Sequence, residues 1–243
     1  TITVDDKFFT VCKDSWECSK LCQPVKGQFR FTDSYEYVQG GHLGYAEDGV
    51  FINRKIVYIK PDIYLIMDEM YTGAHTYRQY WNFSERGQVN LEGSNQNCAV
   101  FQGNKARADF YFLTPGTEPE LYEGKIARHY NRYEKRQGIC VKYQAEGFAS
   151  LLTVIHAAPD GKPESILVEK IPVNSALKGI QYPDSMAEAV KISCHGTEYV
   201  VIFCHQEVNS PTDLEEADGC MGYGNVIVFD KKKDVLAGTV LQY

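Results

Sequence analysis

The feature that most constrains this chain is a two-residue hydrophobic rhythm broken by turn residues, plainest in NRKIVYIKPDIYLIMDEMYTGAHTYRQYWNFSER, residues 53–86. Ile56–Ile59 and Ile63–Met67 are apolar runs rich in β-branched and aromatic residues. Lys60-Pro61-Asp62 between them supplies a preset φ and a side-chain acceptor for a tight turn. The pair reads as a β-hairpin. Beyond a second turn at Thr72-Gly73-Ala74, Thr76–Phe83 sets Tyr77, Gln79 and Trp81 against Arg78, Tyr80 and Asn82, as a strand with one wet face does. Three strands in succession predict an antiparallel meander.

The rhythm recurs along the rest of the chain. Thr1–Val4, Phe8–Cys12, Gln28–Thr32 and Tyr35–Gln39 precede the hairpin; Gln88–Glu92, Cys98–Gln102 and Ala108–Leu113 follow it. Further on come Ile139–Gln144, Phe148–His156, Ser165–Ile171, Ala189–Cys194, Tyr199–His205, Val226–Phe229 and Val235–Leu241. Leu151–Ile155 is apolar throughout, which predicts a central strand buried on both faces. Between these runs, Lys13–Lys26 reads as an irregular polar insertion, Tyr122–Gln137 as an extended loop with strand ends, and Glu207–Asn225 as an acidic loop. Gly40-Gly41-His42-Leu43-Gly44-Tyr45 interrupts the alternation where the backbone must bend or approach another surface closely. The expected fold is all-β: a large antiparallel β-sandwich of stacked sheets with few or no helices. Residues 1–243 are treated as one β-sandwich region, any subdivision falling near 157–175.

Totals remove several functions. At 243 residues and net charge -7, the chain can bury a large core and has no basic stripe to follow a phosphate backbone, so nucleic acid is not an expected partner. No apolar run approaches the roughly 20 residues of a membrane-spanning helix. Eight cysteines lack a CxxC pair; Cys140, Cys194 and Cys204 lie in apolar runs as buried thiols, and Cys18 and Cys22 are spaced to close a small loop disulfide. Because the chain opens on the strand-like Thr1-Ile2-Thr3-Val4, it is expected to be a piece of something longer.

Chemistry-bearing residues are scattered. The six histidines never occur as HxH, HxxxH or HExxH, so the sequence shows no metal motif, and neither GxSxG nor a phosphate-cradling glycine loop is present. Asp68 and Glu69 are neighbours on a strand and should face opposite ways, which argues against an acid–base pair. His42 stands in the glycine break with Tyr45 three residues on. Arg128-His129-Tyr130-Asn131-Arg132 gathers two guanidinium groups, an imidazole, a phenol and an amide, a set able to hold a uronate carboxylate, and Arg54 could act similarly. The alternatives are a solvated loop for the cluster and edge protection for Arg54 and Lys55.

Four segments in order, TITVDDKFF, YEYVQGGHLGY, NRKIVYIKPDIYLIMDEM with HTYRQYWNF, and RHYNRYEKRQG followed by SLLTVIHA, give this chain a family likeness from Thr1 to about Ala157. It resembles the heparinase II/III-like family of polysaccharide lyases. The resemblance implies the C-terminal β-sheet region of a periplasmic or secreted bacterial enzyme that cleaves uronic-acid polysaccharide, heparan-like or alginate-like, by β-elimination. It implies as partners an acidic polysaccharide and an N-terminal α/α toroid of the same protein. The catalytic Tyr and His and a structural zinc would be supplied ahead of Thr1, leaving no catalytic residue, metal ligand or cofactor in these residues and no lyase activity for the chain alone. His42, Tyr45, Arg54, Arg128, Tyr130 and Asn131 remain as substrate-binding candidates on the cleft wall. A non-catalytic carbohydrate-binding or architectural sandwich is the alternative.

Overall fold

Ile56–Ile59 and Ile63–Met67 form the hairpin that their side chains predict, paired Ile59 to Ile63 and Ile56 to Ile66 around a turn at Lys60–Asp62. The computed structural model of the chain describes residues 1–14, 16–71, 73–93, 96–162, 165–205, 213–232 and 235–242. Parts of three expected features, the insertion at 13–26, the turn at 72–74 and the acidic loop at 207–225, lie outside these residues.

In chain order the first strands are β1 (Ile2–Val4), β2 (Val11–Cys12), β3 (Cys18–Lys20), β4 (Pro24–Phe31), β5 (Tyr35–Tyr45), β6 (Val50–Ile59) and β7 (Ile63–Tyr71). Then follow β8 (Ala74–Asn82), β9 (Gly87–Glu92), β10 (Cys98–Gly103), β11 (Arg107–Phe112), β12 (Glu118–His129), β13 (Arg132–Glu146) and β14 (Ala149–Ala158). The last are β15 (Leu167–Ile171), β16 (Asn174–Ser175), β17 (Ala187–Cys194), β18 (Thr197–Cys204), β19 (Glu215–Ala217), β20 (Cys220–Gly222), β21 (Val226–Lys232) and β22 (Val235–Gln242). The pairings are antiparallel, and a single 3₁₀ turn at Ala46–Asp48 joins β5 to β6, so the all-β sandwich expectation holds among the described residues.

Two compact units divide the chain: residues 1–29 with 38–163, and residues 30–37 with 164–243. The first contains a four-stranded sheet, β1-β8-β13-β12, and most of an eight-stranded sheet, β4-β5-β6-β7-β14-β11-β10-β9. Their facing side chains make the core. Ile2, Val4 and Tyr77 from the smaller sheet meet Tyr45, Val50, Ile52, Met70 and Leu151 from the larger, and farther along Ile139 and Val141 meet Val89, Ala99, Phe110 and Phe112. Each fully buried aliphatic side chain contributes about 1.5–3 kcal/mol. As the apolar run predicts, β14 is central, with β7 and β11 on its two sides. The second unit packs β15-β17-β18-β21-β22 with β16-β19-β20 around Ala189, Val200, Ile202, Ala217, Cys220 and Phe229. The β4–β5 tip belongs to it, and the Tyr35 hydroxyl donates to Asp230 Oδ2 at 3.3 Å.

Four sequence expectations need correction. The third strand of the expected meander, β8, leaves the hairpin's sheet and pairs instead with β1 and β13. The reason is that β7 already has β6 on one edge and β14 on the other, so it offers no ladder to a third neighbour. Residues 122–137 are a long hairpin, not a loop, with only Tyr130 and Asn131 between β12 and β13 and Asn131 in the left-handed region at φ 58°. The glycine segment does not break β5. It brings β5 close to its neighbours, since a Cβ on Gly41 would lie 2.6 Å from the Phe51 ring and 2.9 Å from the Ile52 carbonyl oxygen. Finally, the 13–26 insertion is not wholly irregular: it carries β3, which folds back onto β2 just ahead of it, and there the neighbour of Cys18 is Cys12 instead of Cys22.

Candidate functional site

Alternation along β6 and β7 sends successive polar residues to opposite faces. Register pairs Arg54 with Asp68 and Asn53 with Glu69. On one face Arg54 donates through Nε and Nη2 to the two oxygens of Asp68 at 2.5 and 2.7 Å, and Gln79 Nε2 from β8 donates to Asp68 Oδ2 at 2.6 Å. Gln79 Oε1 in turn accepts from Trp81 Nε1 at 2.8 Å and from the Thr153 hydroxyl at 3.3 Å. On the other face Glu69 accepts from Asn53 and from Lys55, both at 2.6 Å, and from the Tyr71 hydroxyl at 3.2 Å. Asp68 and Glu69 are both fully buried, where a polar group left without partners is costly, and each accepts three hydrogen bonds.

Three predicted residues, His42, Tyr45 and Arg54, come together beside the Asp68 network. The half-buried His42 ring lies 5.0 Å from Phe9 and 6.0 Å from Tyr45. Burial, then the Arg54 charge, pushes its pKa below the ordinary histidine value. His42 Nδ1 accepts the Gly44 N–H at 3.2 Å, which puts the proton of the neutral ring on Nε2. In this tautomer Nε2 is a hydrogen-bond donor, not a base. Tyr45 is 1% exposed; its hydroxyl donates to the Lys7 carbonyl at 2.8 Å, and burial raises its pKa to about 12. It therefore pins the segment after β1 and does not face solvent. Arg54 presents its Nε edge to Asp68 and lies 5.8 Å over the Trp81 ring. A cation and aromatic rings beside His42 do not make a donor set for zinc.

Arg128, Tyr130 and Asn131 lie on a different sheet, at the end of the β12–β13 hairpin. Arg128 grips Glu85 through Nε and Nη2 at 2.7 and 2.8 Å and holds its carboxyl at a pKa of about 2. Tyr130 is fully exposed. Five cations, Lys125, Arg128, Arg132, Lys135 and Arg136, stand against Glu134 alone in residues 124–137, a net +4 in a chain of net -7. A polar cleft of about 480 Å³ opens beside this hairpin, lined by Glu85, Gln88, Asn90, Glu123, Lys135 and Arg136. Lys135 and Arg136, which line this cleft, lie beyond the candidate cluster at 128–132, although the run EKRQ carries the same charge signal.

No family model matches the sequence, and no curated protein matches it. Solved structures do. The heparan sulfate lyase HepC from Pedobacter heparinus superposes with a TM-score of 0.63 and 12% identity, over 86% of this chain and 31% of that one. The heparinase III-BT4657 gene product gives 0.61 and 12%, over 84% and 30%, and a heparinase III structure gives 0.55 and 14%, over 84% and 29%. The chain thus spans about 30% of the length of the structures it matches. What it shares with these lyases is a fold, the stacked antiparallel sheets of that part of their length.

Proposed function

We propose that this chain is the β-sheet portion of a larger polysaccharide lyase that cleaves uronic-acid-containing polysaccharide by β-elimination. The observation that carries this reading is the fold likeness over 84–86% of the chain to structures titled heparan sulfate lyase and heparinase III. Four sequence segments in the family's order support it. Elimination requires three things: the uronate carboxylate neutralised, the C5 proton removed, and the departing oxygen protonated. His42, with its proton on Nε2, suits hydrogen-bond donation to a sugar or carboxylate oxygen. The Lys135–Arg136 cleft and the exposed Tyr130–Asn131 turn suit an acidic chain, the cations meeting its carboxylates and the phenol lying against a ring face. Arg54 and Arg128 each give Nε–H and one Nη2 N–H to a carboxylate of this protein, so the donors they offer a ligand are those of Nη1 and, on Arg54, the second Nη2 N–H. Proton removal at C5, and the zinc implied by the resemblance, would fall to the toroid and first β-segment of the whole enzyme.

The test is calorimetric titration of this chain with heparan sulfate and alginate oligosaccharides, together with an absorbance assay for unsaturated uronate. The expected result is binding without product, weakened about tenfold by R132A/R136A, about 1.4 kcal/mol. Absence of binding to any uronate polymer, or unsaturated product from the chain alone, would overturn the proposal.

A further inference from the structure

Four of the eight cysteines, Cys140, Cys194, Cys204 and Cys220, are buried and act as small hydrophobes. Cys12 and Cys18 are different. Both are exposed, so packing does not account for them, and they stand opposite each other across the β2–β3 ladder with sulfurs 3.0 Å apart. Directly opposed residues on antiparallel strands have the Cα spacing, about 4.5–5.5 Å, that a disulfide accepts.

The turn that holds them in place needs no sulfur. Lys13 N–H donates to the Glu17 carbonyl at 2.8 Å, and Asp14 Oδ1 accepts from the backbone N–H of Trp16 at 2.7 Å and of Glu17 at 2.9 Å. The Lys13 and Glu17 side chains form an ion pair across the turn. Ser19 Oγ closes the base by donating to the Val11 carbonyl at 3.2 Å. Cys22, the nearest rival in sequence, points instead toward β5, where its sulfur would be 3.2 Å from a Cβ placed on Gly44.

We propose that Cys12 and Cys18 form a redox-modification site, closing to a disulfide that staples the hairpin tip bearing Trp16. Trp16 is 97% exposed there, so the staple orders a protruding aromatic side chain that no core contact holds. With oxidised glutathione as the oxidant, one protein thiolate attacks its S–S bond and releases one glutathione thiol. The second protein thiolate then attacks the protein sulfur of the mixed disulfide and releases the other. Two protein S–H groups are lost, one S–S bond forms, and the glutathione disulfide is reduced to two thiols.

Trypsin cuts this region into residues 8–13, 14–20 and 21–26, each holding one of Cys12, Cys18 and Cys22. The experiment incubates the reduced, folded protein with oxidised glutathione, alkylates the remaining thiols, digests without reductant and reads the peptides by mass spectrometry. The expected product is 8–13 joined to 14–20 with two hydrogens lost, absent in C12S and in C18S, retained in C22S, with the same circular dichroism spectrum in all. A 14–20 to 21–26 link, persistent glutathione adducts on Cys12 or Cys18, or full alkylation of both would overturn the proposal.

Discussion

Replacing Asp68 by Asn leaves the shape of the β6–β7–β8 junction intact and removes one buried charge. In the native protein Asp68 accepts three hydrogen bonds, two from Arg54 and one from Gln79, and is inaccessible to solvent. The variant strands the Arg54 guanidinium, whose side chain is 30% exposed, against an amide that presents only one acceptor. Breaking a buried pair from one side costs about 3–5 kcal/mol. The partial exposure of Arg54 places this site near the lower end, about 3 kcal/mol, or about 6–12 °C in the Tm of a unit this size. Trp81, bonded to Gln79 in the same network, reports the transition. Since the chain has two tryptophans, W16F isolates its signal. Guanidinium denaturation at constant m gives the free energy. The cycle is closed with R54M and the double variant: removing both charges should restore at least about 1 kcal/mol relative to D68N, because the stranded cation is gone. A D68N loss below about 1 kcal/mol, or a double variant showing the plain sum of two losses, would refute the argument that Asp68 is held by its pairing with Arg54.

Other outcomes follow from the same geometry. Because Arg54 lowers the pKa of His42 and Asp68 raises it, R54M should raise the His42 value in an NMR titration and D68N should lower it further. With a folded pKa below the unfolded one, His42 contributes stability that is full above about pH 6.5 and is lost as pH falls through the folded value; opposite movement of the two variants would contradict this. G41A should destabilise the first unit by about 1–3 kcal/mol, its Cβ meeting the Phe51 ring and a backbone oxygen, while G40A, with nothing within 4 Å, should stay within about 0.5 kcal/mol in the same melts. Burial raises the pKa of Glu215 in the second unit, and its Oε2 has no hydrogen-bond partner among the described residues. Its contribution is therefore largest in acid and lost as pH rises through the folded pKa, so the Tm difference between E215Q and wild type should grow from pH 4 to pH 7; a flat difference would argue against it.

Strands were legible where one face is dry. β6, β7 and β14 show their pattern because each apolar residue reports burial locally, and the Lys-Pro-Asp turn fixes how β6 meets β7. The sheet to which a strand belongs is a long-range matter: β8 reads as a strand, but its partners begin at Ile2 and at Gly138, and no alternation encodes that choice. The β12–β13 hairpin was missed for the opposite reason. Both of its faces are wet over much of its length, so its sequence carries charge without rhythm. At the site, His42 and Tyr45 could each be singled out from the sequence, but residues three apart on an unbroken strand alternate to opposite faces, so the approach of their rings to 6.0 Å required the fold. The pairing of Arg54 with Asp68 required the hairpin register, and the capture of Arg128 by Glu85 required the fold. Cysteine spacing pointed to Cys18 and Cys22, whereas the turn capped by Asp14 brings Cys12 to Cys18.

The most direct test of the account is made on the complete open reading frame that contains this chain, incubated with heparan sulfate or alginate while the absorbance of unsaturated uronate is followed. Unsaturated product is expected, with kcat/KM reduced at least tenfold by H42A, the loss of a hydrogen bond to an acidic substrate. Cleavage that yields saturated ends, or unsaturated product formed equally well by H42A, would contradict it.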